Sequence, residues 1–419
     1  MQRRNSRWLI GAGLLAVGSL TLTACGSGSG FGDTATNTDG KLTSDSSQGL
    51  NILIGSSGDA ETASVNAAVA AWSKTSGTDA KVSVASDLNQ QLAQGFAAQK
   101  PADVFYLSTD ALAGYASNGS LLAYGNDLKN RDDFYPSLVN SFTYEGDFYC
   151  APKDFSTLQL LINTDLWSQA GLTDADIPTT WEELATVSKT LTTGSQVGLA
   201  IGGEYARLGA FMAEAGGSLM NADSTKATAN SSENVAGLQY AQTLLNDGVM
   251  SYASDIGAGW GGEAFGKQLS AMTIEGNWIT GAMKNDFPDV NYTVAELPAG
   301  PGGQGTLQFT NCWGIAADSP NQAAALDLVE QLTSKDAQLT FSEDFGPMPS
   351  IMSAADEWKS ANPTLVPFLA GADYAKGVPN VKGSADVVSD LNAQLESLNT
   401  GDPQAILDSV QKNLEALLK

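Results

Sequence analysis

The sequence Leu50-Asn51-Ile52-Leu53-Ile54-Gly55-Ser56-Ser57-Gly58-Asp59 contains a short apolar run that is followed directly by a loop of glycine and serine. An apolar run of this length, bounded by turn residues, predicts a buried β-strand. Beyond the loop, Val65, Val69 and Trp72 recur at the spacing of one face of an α-helix. The stretch therefore predicts a strand, a turn and a helix that packs back on the strand.

The same alternation continues downstream. Apolar residues mark a second strand, a second helix and a third strand, at Val82 and Val84, at Leu88, Leu92 and Phe96, and at Val104-Phe105-Tyr106-Leu107. A β-α-β-α-β order predicts a largely parallel sheet with helices on both faces. Ligands of such sheets bind beyond the carboxyl ends of the strands. Asp59 and Asp110 fall at such ends and are candidate binding residues.

A new region begins near residue 150, where a proline interrupts a strand-like passage. Pro178-Thr179-Thr180-Trp181-Glu182-Glu183-Leu184 then starts another α/β segment, in which Thr180 and Glu183 have the spacing of a capping box. Helical patterns dominate after Gln322. A chain of 419 residues is long enough for two or three domains. We therefore expect an α/β protein with more than one domain.

Three tryptophans lie beside glycines in predicted loops or at strand ends: Trp260, Trp278 and Trp313. Trp260 lies within Gly257-Ala258-Gly259-Trp260-Gly261-Gly262, and Trp278 ends the sequence Glu275-Gly276-Asn277-Trp278, which follows an apolar run. An indole can stack on the apolar face of a pyranose, while neighbouring carboxylates and amides bind its hydroxyls. These segments are candidate sugar contacts; the alternative is that each indole packs in a core.

Composition and charge exclude several classes of function. The chain has 21 Lys+Arg, 46 Asp+Glu and a formal net charge of −25, which disfavours binding to nucleic acid. It contains no histidine, which removes Ser-His-Asp and Cys-His catalysis and the usual zinc sites. Glycosidase chemistry with paired carboxylates needs only Asp and Glu, so it stays open.

The first residues have the pattern of an export signal. A basic opening, Met1 to Arg7, precedes an apolar run from Trp8 to Ala24 that is too short to span a bilayer. Leu22-Thr23-Ala24-Cys25 resembles a bacterial lipoprotein signal, which would make Cys25 the lipidated first residue of the mature protein. Residues 25–48 are rich in Gly, Ser, Thr, Asp and Asn, and we expect a flexible tether there.

Cys150 and Cys312 remain once Cys25 is assigned to lipid. Outside the cytoplasm an even number of cysteines favours a disulfide, and the alternative is two buried free thiols.

Several segments together resemble the extracellular solute-binding proteins of carbohydrate ABC transporters, the group that includes maltose-binding protein. The matching segments are Gly58-Asp59, Ala102-Asp103-Val104-Phe105 with Asp110, Gly114-Tyr115-Ala116, Pro152 before the strand to Asn163, the 178–184 segment, Ala271-Met272 before Gly276-Asn277-Trp278, and Gly346-Pro347-Met348-Pro349. Their order and spacing extend from about residue 49 to the end of the chain.

The resemblance implies two α/β lobes joined by crossing strands, with a sugar bound in the cleft and the lobes closing over it. One lobe would comprise residues 49–152 and 312–357, and the other residues 153–311 and 358–419. On that map Cys150 and Cys312 lie on neighbouring crossovers, where a disulfide would brace the base of the hinge.

The resemblance also implies which residues bind the ligand. Asp59 and Asp110 would act from the first lobe, and Glu204 and Trp278 from the second. Asp154 and Lys153 are further candidates from their residue types, and Lys153 either donates to a ligand hydroxyl or only pairs with Asp154. Ser156 stands where the maltose group has a glutamate, and no tryptophan lies near residues 378–388. We therefore expect a neutral sugar or oligosaccharide, and these departures disfavour a malto-oligosaccharide.

We expect a monomer that uses no cofactor or metal, delivers its ligand to an ABC permease and is held at the outer face of the membrane by lipid. Two alternatives are a lipid-anchored glycosidase and a protein of the same fold that binds a polyamine or other cation.

Overall fold

The computed structural model describes residues 42–45 and 47–419. The strands are β1 (Leu50–Ile54), β2 (Ala80–Val84), β3 (Val104–Ser108), β4 (Thr143–Tyr144), β5 (Asp147–Phe148), β6 (Ala151–Thr157), β7 (Gln159–Asn163), β8 (Val197–Ile201), β9 (Met250–Tyr252), β10 (Ser270–Glu275), β11 (Tyr292–Ala295), β12 (Thr306–Ile315) and β13 (Ala375–Lys376).

Helices separate most of these strands. They are α1 (Asp59–Ser76), α2 (Leu88–Ala97), α3 (Thr109–Ser117), α4 (Pro136–Ser141), α5 (Thr164–Gln169), α6 (Trp181–Leu191), α7 (Tyr205–Glu214), α8 (Ser232–Asn246), α9 (Gly261–Gly266), α10 (Ile279–Asn285), α11 (Gln322–Leu332), α12 (Lys335–Phe345), α13 (Ala355–Ala361), α14 (Val366–Ala370), α15 (Ser384–Leu395) and α16 (Pro403–Leu417).

The first sheet has a parallel centre. Strands β2, β1 and β3 pair in parallel, and β12 lies antiparallel beside β3. The helical face predicted for α1 is buried against this sheet, because Val65, Val69 and Trp72 are each at most 4% exposed. The buried side chains of this core come from residues 50–151 and 312–354.

The second sheet has the order β11-β7-β10-β8-β9, in which β10, β8 and β9 are parallel and β7 is antiparallel to both of its neighbours. Its core draws buried side chains from residues 158–307 and also from α15 and α16, such as Leu391 and Leu414. The amphipathic end of the chain therefore packs on the second lobe.

Two long segments cross between the lobes. β6 leads directly into β7, and the ten residues of β12 run back from Leu307 in the second core to Trp313 in the first. β6 and β12 pair with each other along this crossing. Cys150 and Cys312 are joined in a disulfide, with Cα atoms 5.6 Å apart, and both lie in the first core. A third buried cluster, which includes Phe155, Trp358 and Phe368, packs beside the crossing.

The end of the expected tether is attached to the first lobe. The Thr43 N–H donates to Gln322 Oε1 at 3.0 Å, and its hydroxyl donates to the Ser319 carbonyl at 2.8 Å. The expectation of a free tether up to residue 48 is therefore wrong for residues 42–45, where backbone and side-chain bonds hold the chain. The expected signal segment and Cys25 lie outside the described residues. Among the described helices, none is long and apolar enough to cross a membrane.

Candidate functional site

The end of β10 presents an exposed indole. Trp278 is 39% exposed, and its Nε1 donates to Glu275 Oε2 at 3.0 Å. Its ring packs edge to face with Phe309 of the crossing strand β12, with centroids 5.4 Å apart. Gly276 makes this arrangement possible, because a Cβ at that position would overlap the indole. The indole is therefore held in a fixed position while part of its surface stays accessible.

A charged cluster supports this indole. Arg207 of α7 donates from Nη2 to Glu275 Oε2 at 2.6 Å, and its guanidinium carbon lies 5.3 Å from the Trp278 ring centroid. Glu204 is 3.6 Å from Arg207 and is 39% exposed. Burial raises the pKa of Glu275, and the charge of Arg207 opposes that rise. The cluster combines a buried ion pair with a second, accessible carboxylate.

A β-bulge in strand β6 holds a second charged cluster, across the site from Trp278. Along the β6–β12 pair, Asn311 faces Asp154 but the next residue, Cys312, faces Pro152. Lys153 is thus the extra residue of the bulge, which places its side chain on the same side as that of its neighbour Asp154. The two side chains form an ion pair there.

Lys153 is the centre of a buried network in the first lobe. Its Nζ lies 3.2 Å from Glu61 Oε1 and 4.6 Å from the centroid of the Tyr106 ring. The Tyr106 hydroxyl donates to the same Glu61 oxygen at 2.9 Å, and the other oxygen accepts bonds from the N–H and hydroxyl of Ser57, each at 2.7 Å. The loop after β1 therefore holds one end of Glu61, and the bulge supplies its cation.

The ionisation of this network follows from its burial and charges. Burial acts to raise the pKa of Glu61, but the Lys153 charge and the bonds from Ser57 and Tyr106 outweigh it, so the pKa is lowered. Burial raises the pKa of Asp154. The carboxylates around Lys153 outweigh the opposing effect of its burial and raise the pKa of its ammonium. Glu61 and Lys153 are therefore both charged at neutral pH.

The two clusters flank the same stretch of the crossing strands. The Asn277 N–H donates to Ser156 Oγ of β6 at 2.9 Å, and its Nδ2 donates to the Gly346 carbonyl, also at 2.9 Å. Ser156 is two residues from Asp154, so the two side chains share a strand face about 7 Å apart. Carboxylates, an ammonium, a guanidinium and an accessible indole thus line one side of the lobe junction.

The predicted site residues have different outcomes. Lys153, Asp154, Glu204, Gly276, Asn277 and Trp278 lie in or beside the two clusters. Trp260 is half-buried at the start of α9, where Gly261 approaches Glu275. Asp59 and Asp110 are exposed in the first turns of α1 and α3. It is Glu61, two residues after Asp59, that points into the network.

For Trp313 the structure shows the alternative given above, an indole packed in a core. Its side chain is 1% exposed and packs edge to face with Tyr106, with centroids 4.7 Å apart. The glycine beside it, Gly314, lies against Phe105 within the strand pair and forms no loop. Trp313 therefore packs against the Lys153 network through Tyr106.

Sequence reasoning missed Glu61, Tyr106, Arg207 and Phe309 as site residues. Tyr106 and Phe309 lie in apolar runs that are typical of cores, and Glu61 lies on a helix whose apolar face explains its pattern. Arg207 gave a usable signal, because it stands three residues after Glu204 and so shares a helix face with it. Within the described part of the chain, no three acidic or cysteine side chains are grouped as a metal would require.

Solved structures of binding proteins share this fold. The GacH receptor of Streptomyces glaucescens, solved without ligand and with acarbose, has a TM-score of 0.76 and 22% identity and covers 88% of this chain and 98% of its own. The cyclic α-maltosyl-1,6-maltose binding protein of Arthrobacter globiformis has a TM-score of 0.77, 22% identity and the same coverage. The sugar-binding protein MalE of Xanthomonas citri has a TM-score of 0.78 and 18% identity, with coverage of 88% and 97%. The expectation of a two-lobed periplasmic-binding-protein fold is confirmed.

Relatives by sequence are also binding proteins. A protein of Brucella abortus (strain 2308) that is named as a binding protein is 26% identical over 352 residues, which cover 79% of this chain and 83% of the relative. The family model described as "Bacterial extracellular solute-binding protein" matches residues 67–367. Such a family is extracytoplasmic and binds rather than transforms its ligands, so the expectation of a binding protein and not an enzyme is confirmed. The match extends over both lobes and the crossing strands, and the chain belongs to the bacterial extracellular solute-binding protein family.

Proposed function

We propose that this protein captures a neutral sugar or oligosaccharide between its lobes and delivers it to the permease of an ABC importer. The observation that carries the proposal is Trp278, an accessible indole fixed by Glu275 and Phe309 at the junction of the lobes. A rigid aromatic beside charged hydrogen-bonding groups suits a pyranose, which has apolar faces and a hydroxylated rim.

The available contacts supply enough free energy. Micromolar affinity requires about −8 kcal/mol. Hydrogen bonds to charged groups contribute about 1.5–3 kcal/mol each, and aromatic stacking about 0.5–1.5 kcal/mol. Glu204 and Asp154 keep partly accessible oxygens, with side-chain exposures of 39% and 17%. A few such hydrogen bonds and one stacked ring together reach about −8 kcal/mol, after subtraction of the free energy that is lost when ligand and side chains become ordered.

Binding would couple to closure because the two clusters belong to different lobes. A ligand that contacts both the Lys153 network and Trp278 binds best when the lobes approach, so it shifts the population towards the closed form. The solved neighbours support the carbohydrate class, since the GacH receptor binds acarbose and the Arthrobacter globiformis protein binds cyclic α-maltosyl-1,6-maltose.

We further propose that the protein is held at the outer face of the cytoplasmic membrane by lipid on Cys25. The support is the sequence pattern before Cys25 and the extracytoplasmic family. Metabolic labelling with a palmitate analogue tests the proposal: the wild type should be labelled and Cys25→Ala should not.

The function is tested by titrating mono-, di- and oligosaccharides while intrinsic tryptophan fluorescence and binding heat are recorded. Trp278→Ala should raise the Kd of the responding sugar about tenfold or more, since it removes the stacking surface. Its melting temperature should change little because the indole is exposed. Met352→Ala, which trims an equally exposed side chain elsewhere, is the matched control. A panel without any binding sugar would refute the proposal.

A cationic ligand is the second candidate, and one observation favours it. Each cluster holds two carboxylates around one cation: Glu61 and Asp154 around Lys153, and Glu204 and Glu275 around Arg207. Calorimetry with spermidine beside the sugar panel separates the two candidates. Tight spermidine binding without a sugar response would replace the first proposal with the second.

A further inference from the structure

A second pocket lies on the face of the crossing strands that is opposite to Trp278. Successive residues of a strand point to opposite faces. Phe309 of β12 contacts Trp278, whereas its neighbour Gln308 points to α4. The pocket there has a volume of about 360 Å³ and includes Gln308 in its lining.

Side chains from both lobes meet in this rear pocket. α4 belongs to the first lobe, where Val139 and Phe142 pack in the core, while Met220 and Val378 pack on the second core. Gln308 Nε2 donates to the Ser137 carbonyl and to Ser141 Oγ, each at 2.9 Å.

Asn380, from the second lobe, makes an equivalent contact. Its Nδ2 donates to the Ser141 carbonyl at 2.9 Å. The pocket therefore lies across the seam between the lobes.

Side chains in the lining of the rear pocket have buried hydrogen-bond acceptors without a partner among the described residues. Gln308 is 3% exposed and Asn380 is 7% exposed, yet neither Gln308 Oε1 nor Asn380 Oδ1 accepts a bond from any residue that the structure describes. Turning either amide over would place its oxygen against the carbonyls that its nitrogen now contacts. Ser137 Oγ, in the same lining, also has no partner among the described residues. An unpaired buried acceptor is costly, and a ligand hydroxyl that reached it after a small side-chain rotation would supply the missing bond.

The charge of the lining narrows the ligand class. Among the described residues that line the pocket there is no carboxylate, although the chain carries a net charge of −25. Its one charged side chain is Lys376, which donates to the carbonyls of Gly216 and Gly217 at 2.9 and 2.8 Å. A cation would be repelled by this ammonium, and an anion would meet acceptor oxygens. A neutral molecule with several hydroxyl groups matches the lining.

We propose that this rear pocket is a second binding site, for a neutral polyol about the size of a monosaccharide, and that its occupancy opposes closure of the lobes. Closure turns the lobes about the crossing strands, so surfaces on opposite faces of these strands move in opposite senses. A molecule that bridges α4 and Asn380 holds the rear surfaces together and thereby favours the open form. Linkage then requires that the rear ligand and the cleft ligand weaken each other.

The site is tested by saturation-transfer NMR with myo-inositol and sorbitol at millimolar concentration. Asn140→Trp fills the pocket from the exposed side of α4, and Asn66→Trp places the same side chain on the exposed face of α1 as a control. The wild type, Asn66→Trp and Trp278→Ala should show transfer to at least one polyol, and Asn140→Trp should not. Transfer that persists in Asn140→Trp, disappears in Trp278→Ala or is absent from the wild type overturns the site.

The coupling has its own test, which rests on the proposed function. With a sugar that binds the cleft, a saturating amount of the bound polyol should raise the sugar Kd about fivefold or more in the wild type. It should leave the Kd of Asn140→Trp unchanged. An unchanged Kd in the wild type overturns the coupling. If no sugar binds, the proposed function fails while the NMR experiment still decides the site.

Discussion

Lys153 forms ion pairs with two carboxylates, and its removal should be costly for stability. Lys153→Met would leave the carboxylates of Glu61 and Asp154 without a cation at a position where the Lys153 side chain is only 9% exposed. Loss of one partner of a buried ion pair destabilises by about 3–5 kcal/mol. Urea unfolding measures the loss. Lys129→Met, which breaks a pair whose lysine is 81% exposed, is the control and should leave the urea midpoint unchanged. Equal effects of both variants would contradict the assignment.

Glu214 should make stability depend on pH. Its side chain is fully buried and accepts from Trp181 Nε1, and burial raises its pKa well above the ordinary value of 4.5. In the folded protein the raised pKa keeps the Glu214 carboxyl protonated. The resulting stabilisation is complete below pH 4.5 and is lost as the pH rises from there towards the pKa of Glu214 in the folded state.

Glu214→Gln keeps the acceptor and removes the titration. The free energy of unfolding of this variant relative to the wild type should therefore increase above pH 4.5, by at most about 1.4 kcal/mol per pH unit. Urea unfolding at pH 4 and pH 7.5 measures this. Glu183→Gln should show the opposite sign, because bonds from Thr179 lower the pKa of Glu183. A pH-independent difference for Glu214→Gln would refute the expectation.

At the scale of elements, the disulfide ties the start of β6 to β12 within the first lobe. It closes a loop with a sequence separation of 162, for which the chain-entropy model gives about 5 kcal/mol. Cys150→Ala with Cys312→Ala should lower the melting temperature without changing ligand affinity, since both positions are buried away from the cleft. Thermal unfolding and titration of the double variant check this. A large loss of affinity at unchanged stability would indicate a role in the hinge.

Elements that depend on local patterns could be predicted from the sequence, whereas features that depend on pairing could not. The face of α1 and the cap of α6 at Thr180 follow from spacing and local chemistry, and both are present. The bulge at Lys153 exists only because β6 pairs with β12 across a long separation. Trp278 and Trp313 have similar neighbours in sequence, but only one ends a strand at the lobe junction. Tertiary pairing separates an accessible indole from a buried one.

At the scale of the molecule, ligand binding should change the overall dimensions. If the ligand bridges Trp278 and the Lys153 network, the closed form gains population and the radius of gyration falls on saturation. Small-angle scattering with and without the responding sugar measures the change. Glu204→Gln removes a carboxylate that belongs to one lobe only, so it should weaken binding yet give the same compaction at saturation. Binding without compaction would mean that the ligand contacts a single lobe, and capture would then not depend on closure.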